Sequence, residues 1–153
     1  MSSSEILNGS DRTITFPELV AFDSIESARN HVVEKEVESI LRESHADQFD
    51  WLEKKFKLPL RKDLSIWSDF IEVTERRNLF VHSGGQVSGQ YLKVCQSHKF
   101  DTGKTSKGDV LAVSPDYFSK AYGIVFEIGV KLAHVLWRKL MPEERKRADQ
   151  NMN

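Results

Sequence analysis

The chain has one cysteine, Cys95, in 153 residues. That excludes an internal disulfide and any zinc site built on cysteine pairs. No apolar run approaches the ~20 residues of a membrane span. The first residues, Met1-Ser2-Ser3-Ser4-Glu5, lack the basic and apolar regions of a secretory leader. Ser2 in place of glycine excludes myristoylation. These absences make a cytoplasmic chain with no membrane contact the expectation. Net charge is also missing. Twenty-two basic against 23 acidic side chains leave −1, so any nucleic-acid contact must come from a local basic patch. No stretch alternates apolar and polar residues as a half-buried strand would, and there is no internal repeat.

What is present is helical spacing and aromatic bulk. Nine Phe, three Trp and three Tyr, in a chain that is 39% hydrophobic, suffice for the core of one domain. Residues 1–15 are rich in Ser, Asn and Asp and read as a flexible lead-in. Phe16, Leu19, Val20 and Phe22 form a short arm or a first helical turn begun by Pro17. Asp23, with Glu26 three residues on, reads as the capping box of a helix over about residues 24–43. Its apolar stripe includes Ile25, Ala28, Val32, Val33, Ile40 and Leu41. Ser44–Asp47 starts a second helix on Phe49, Leu52 and Phe56, which Pro59 ends.

Asp63 is the expected cap of a third helix. Its inward face is Trp67, Phe70, Ile71, Thr74, Asn78 and Val81, and Ser83-Gly84-Gly85 stops it. A short helical turn around Tyr91, Leu92 and Val94 and a polar loop over 97–114 follow. Ser114-Pro115-Asp116 then opens a long helix on Tyr117, Ala121, Ile124, Val125, Ile128, Leu132, Val135, Leu136 and Leu140. Gly123 and Gly129 within it point to a close helix–helix approach. The fold class is all-α, a helical bundle of about four main helices over residues 16–141. Residues 142–153 form a charged helix or tail, leading into a further domain if the chain is part of a longer protein.

Several motifs fail on their context. Gly103-Lys104-Thr105 resembles the end of a phosphate-binding loop. The glycine required five positions earlier is His98, and no strand precedes it, so a polar loop with three lysines is the reading. The histidines (His31, His45, His82, His98, His134) form no ligand-spaced cluster, so no metal and no cofactor is expected. Cys95 has only His98 near it and reads as a small buried hydrophobe. Lys54, Lys55, Lys57, Arg61 and Lys62 form a basic run, a solvated surface or one wall of an RNA path.

One stretch resists a packing explanation: Glu75-Arg76-Arg77-Asn78-Leu79-Phe80-Val81-His82. Asn78 and His82 lie one helical turn apart on an apolar stripe, and Arg77 lies at its border, ~7.5 Å from His82 along the axis. Polar groups at packing positions mark either a site or a set of buried hydrogen bonds with Arg77 reaching to solvent.

Arg77-Asn78-Leu79-Phe80-Val81-His82 resembles the Arg-x(4–6)-His motif of the HEPN superfamily, in the form with a polar residue straight after the arginine. The long helix, Glu75 before the motif, the small-residue stop and Tyr91-Leu92 beyond it fit the same family across about residues 17–140. Arg76 meets the looser spacing, but Asn78 follows Arg77, which selects Arg77. The resemblance implies a homodimer in which two motif copies form one composite cleft. It further implies metal-independent endoribonuclease activity on RNA, in toxin or anti-phage defence settings, with an antitoxin or regulatory domain as a further partner. Other members of the family are non-catalytic dimerisation or RNA- or nucleotide-binding modules. In the catalytic reading Arg77, Asn78 and His82 are the site. His82 serves as acid or base, Arg77 as phosphate ligand, and Asn78 either orients the histidine or donates to the phosphate.

Overall fold

A computed structural model describes residues 13–62, 64–144 and 147. Among these the protein is all-helical, with one isolated antiparallel bridge, Gln86 to Val110. The helices are α1 (Phe16–Val20), α2 (Ile25–Arg42), α3 (His45–Phe56), α4 (Trp67–Ser83), α5 (Gly89–Ser97) and α6 (Pro115–Leu140). No described helix is long and apolar enough to cross a membrane. The lead-in expected over 1–15 and the tail expected over 142–153 fall largely outside the described residues. The chain divides into two compact units, Met1–Pro59 and Leu60–Asn153.

In the first unit, α1 is closed by a reciprocal capping box. Thr15 Oγ1 accepts from Glu18 N–H at 3.4 Å, and a Glu18 carboxylate oxygen accepts from Thr15 N–H at 2.8 Å. The cap of α2 differs from expectation. Ser24 fills it, accepting from Ser27 N–H at 3.0 Å, so the helix begins one residue later than an Asp23 cap requires. Ser44 caps α3 through Asp47 N–H. That helix ends at Phe56, ahead of Pro59. Lys57 turns left-handed (φ 52°) and Leu58 N–H returns to the Glu53 carbonyl at 3.2 Å.

In the second unit, α4 starts at Trp67 behind Ile66, which makes no side-chain cap. Asp63, the expected cap, lies outside the described residues. The stop is as read: Gly84 adopts φ 59°, and Gly85 N–H closes on the Leu79 carbonyl at 3.1 Å. Ser88 caps α5 and Ser114 caps α6, each accepting the N–H three residues on. The core is Leu79, Val87, Tyr91 and Cys95, with Leu92, Phe100 and Leu111 packed against it.

Two readings of packing are corrected. A β-carbon at Gly123 or Gly129 would meet nothing within 4 Å, so these glycines permit no close approach among the described residues. They lie on the exposed side of α6, away from the buried Ile124 and Ile128. The glycine that packing does require is Gly85. A β-carbon there would stand 2.8 Å from Phe80 Cε1 and 2.9 Å from the Leu111 carbonyl oxygen, at φ 84°.

Gly85→Ala is therefore expected to destabilise the second unit by about 2–4 kcal/mol, combining a left-handed backbone penalty with overpacking. Gly84→Ala, left-handed but uncrowded, should cost only about 1 kcal/mol. Urea denaturation of the two variants measures the difference, and equal losses would contradict the close packing of Gly85.

Candidate functional site

The buried face of α4 keeps Phe70 and Ile71 of the apolar stripe that the spacing suggests and departs from it at Glu72, Leu79 and Val81. Phe70, Ile71, Glu72 and Leu79 are buried, Asn78 is half-buried, and Val81 is 56% exposed. The face has rotated so that a carboxylate enters the core. Glu72 is only 2% exposed, yet every polar atom on it is matched. Its Oε1 accepts from Tyr91 Oη at 2.8 Å and from Arg76 Nε at 2.6 Å, and its Oε2 accepts from Tyr117 Oη at 2.9 Å. The donors come from α5, α4 and α6, so one carboxylate ties three helices together. The Arg76 guanidinium also lies 4.0 Å from the centre of the Tyr117 ring, a close cation–π contact.

Burial and the neighbouring Glu72 carboxylate push both phenols above the ordinary tyrosine range, which keeps Tyr91 and Tyr117 protonated and donating. Burial works against the Arg76 charge, but Glu72 together with Tyr117 and Tyr91 outweighs it and the net shift is upward, so Arg76 stays a cation. Cys95 is fully buried beside this cluster. Its thiol is pushed up to about 11, by burial first and by Glu72 second. A thiol held that high is not a nucleophile at neutral pH, which fits the small-hydrophobe reading. His98 is turned elsewhere: its Nδ1 accepts from Trp67 Nε1 at 3.3 Å.

The motif residues are divided around α4: Arg77 points away from the buried side, whereas Asn78 and His82 are in phase with buried Ile71, and His82 is open because it stands in the last turn. Arg77 is exposed, and its Nη1 donates to Asn78 Oδ1 at 3.3 Å. Burial raises the Glu75 carboxyl above its ordinary value, and the Asn78 hydrogen bond only partly opposes this. His82 is exposed in the last turn. At ~100° per residue, Glu75, Asn78 and His82 fall within about 60° of one another around the axis, whereas Arg77 and His82 are about 140° apart. The helix thus brings Asn78 together with Arg77 and with Glu75. It does not bring Arg77 to His82.

The sequence reading missed Glu72, Tyr91 and Tyr117 as a unit. The available signal was an acidic residue four before Arg76, a helical ion-pair spacing. The remaining candidates stay apart from the motif. A cavity of about 120 Å³ is lined by Asp69, Glu72, Arg76, Phe100, Tyr117 and Lys120 among others. Its charged walls are already paired, Lys120 with Asp69 at 2.6 Å and Arg76 with Glu72. A larger cleft of about 550 Å³ in the first unit, along Glu18, Phe22, His31 and Lys35, contains no motif residue. No group of His, Cys, Asp and Glu among the described residues could hold a metal. The basic run falls on both sides of the unit boundary, with Lys55 over the Trp51 ring and Arg61 over the Trp67 ring. No protein-family model, curated protein or solved structure matches the chain.

Two outcomes follow from this geometry. Glu72→Ala leaves the buried Tyr91 phenol and the half-buried Arg76 and Tyr117 without their acceptor and should cost about 3–5 kcal/mol, whereas Tyr117→Phe removes one charge-assisted bond and should cost about 1.5–3 kcal/mol. Chemical denaturation reads both, and a neutral Glu72→Ala would contradict the cluster's role. For Glu75 the raised carboxyl contributes stability that is full below the unfolded-state value and is lost as pH rises through the folded value. Glu75→Gln should therefore melt higher than the parent at neutral pH, and the gap should close toward pH 4.

Proposed function

We propose that this chain is a metal-independent endoribonuclease of the HEPN type, acting as a homodimer with one composite cleft. The observation that carries the reading is the sorting of two adjacent arginines. Arg76 is committed to Glu72 and the Tyr117 ring, while Arg77 is exposed beside Asn78 with no carboxylate on it among the described ion pairs. An exposed, unneutralised guanidinium is available to a phosphate, and its planar fork of donors suits the equatorial oxygens of a pentavalent phosphorane.

In this mechanism a histidine removes the 2′-OH proton, and O2′ attacks the adjacent phosphorus. The bond from phosphorus to O5′ breaks, and a second proton-transfer group protonates the leaving O5′. The products are a 2′,3′-cyclic phosphate and a 5′-hydroxyl. An imidazole suits both proton transfers at neutral pH, and His82 is the one the motif carries. One chain carries one such histidine and points it about 140° away from Arg77. A two-fold axis would supply the second histidine and set the Arg77 of one copy against the His82 of the other.

Exposed aromatic side chains on α6 support such an axis. Phe118, Tyr122 and Phe126 recur every four residues and are 64%, 67% and 61% exposed. Three aromatic side chains at that exposure offer roughly 300–500 Å² per copy. With Val125 and Val130 alongside, an isologous pair would approach the ~1,000 Å² that a specific interface needs.

Purified protein incubated with total RNA and EDTA should leave cyclic-phosphate ends. His82→Ala and Arg77→Ala, both exposed and therefore folded, should lower the rate by at least about 100-fold. Full activity in both variants would refute the site. Dimerisation without cleavage in any buffer would instead identify a non-catalytic binding module.

A further inference from the structure

The loop between α5 and α6 carries Lys99, Lys104 and Lys107, and the proposed reaction gives none of them a part. Two consecutive tight turns set its shape. In the first, Thr105 N–H returns to the Thr102 carbonyl at 3.1 Å with Gly103 at φ 58°. In the second, Asp109 N–H returns to the Ser106 carbonyl at 3.1 Å with Gly108 at φ 96°. Positive φ at the first central position of one turn and the second central position of the other is what these turns demand, and glycine supplies it without strain. A β-carbon at either glycine would meet nothing within 4 Å, so crowding is not the reason for them. Lys104 and Lys107 are the remaining central residues, exposed at the two turn tips.

The loop's own acids do not neutralise these lysines. Asp101 Oδ1 accepts from Gly103 N–H at 2.8 Å, and Asp109 Oδ2 accepts from Ser106 N–H at 2.8 Å. None of the described ion pairs involves Lys99, Lys104 or Lys107. The base of the loop is tied to the segment that ends α4. Leu111 N–H donates to the Gly85 carbonyl at 3.0 Å, Val87 N–H to the Asp109 carbonyl at 2.8 Å, and Gly108 N–H to the Val87 carbonyl at 2.9 Å. Gly85 lies three residues beyond His82.

We propose that Lys104 and Lys107 bind the phosphate backbone of single-stranded RNA flanking the motif. The inference rests on the reading of the chain as an RNA-binding one. Turns closed by their own aspartates hold the lysine backbones before any ligand arrives, which lowers the ordering cost of binding. Lysine acts as a point charge, so the loop adds affinity without reading bases.

The test measures binding and cleavage separately. A labelled RNA oligonucleotide is titrated with His82→Ala protein between 50 and 200 mM KCl, so that the ligand stays intact. Adding Lys104→Ala and Lys107→Ala should flatten the slope of log affinity against log salt by about 1.4 and weaken binding on the order of tenfold at 0.1 M. Lys35→Ala, which removes a lysine already paired with Glu38, should leave the slope unchanged. An equal slope in the loop double variant overturns the proposal, as does absence of binding by the His82→Ala parent at 50 mM. Wild-type protein that fails to cleave, with the slope difference intact, removes the nuclease reading and leaves the loop's role standing.

Discussion

The second unit depends on a single buried carboxylate. Glu72 takes one donor from its own helix and one from each of two neighbours, at 2.6, 2.8 and 2.9 Å. A charge in a low-dielectric interior is tolerated only when it is matched in this way. The match fixes the rotation of α4 about its own axis, because Glu72 must face Tyr91 and Tyr117. Once that rotation is fixed, the fate of the following residues is fixed with it. Arg76, one turn on, is drawn inward over the Tyr117 ring, and Leu79 continues the buried line into the core with Val87 and Cys95. Arg77 is left outside by that rotation, and His82 is open because it stands in the last turn. An interaction that has no chemistry of its own to perform thus determines which side chains are free to perform any.

This is also where the sequence misled. Apolar periodicity put Trp67, Phe70, Ile71, Thr74, Asn78 and Val81 on the inward face; Phe70 and Ile71 are buried there, but it left Glu72 and Leu79 out and placed the exposed Val81 inside. Binary pattern cannot see that two tyrosines 19 and 45 residues away will satisfy that carboxylate. The helix ends, set by contacts within a few residues, were far more legible. Ser44, Ser114 and the Ser83-Gly84-Gly85 stop act where the sequence places them. The shift from Asp23 to Ser24 is a one-residue competition between two good caps. Gly123 and Gly129 show the opposite error, a long-range role inferred from local cost and not realised among the described residues.

The motif itself was legible as residue types but not as an orientation. The exposure of Arg77 and His82 favours a ligand over buried hydrogen bonding at those two positions, while the half-buried Asn78 accepts from Arg77 Nη1 at 3.3 Å. Helix phase then adds a constraint that composition could not. Arg77 and His82 diverge by about 140°, so a phosphate held by one is out of line with the other within a single chain. The proposed reaction therefore needs the two groups to come from different copies.

That requirement can be measured directly by mixing. Arg77→Ala and His82→Ala proteins, each inactive alone, are combined, allowed to exchange subunits, and assayed on RNA. In a mixed dimer one arginine and one histidine remain, on opposite chains, so cleavage should rise above that of either parent yet stay well below wild type, because the second proton-transfer histidine is missing. A mixture that stays silent after demonstrated subunit exchange would contradict the composite cleft.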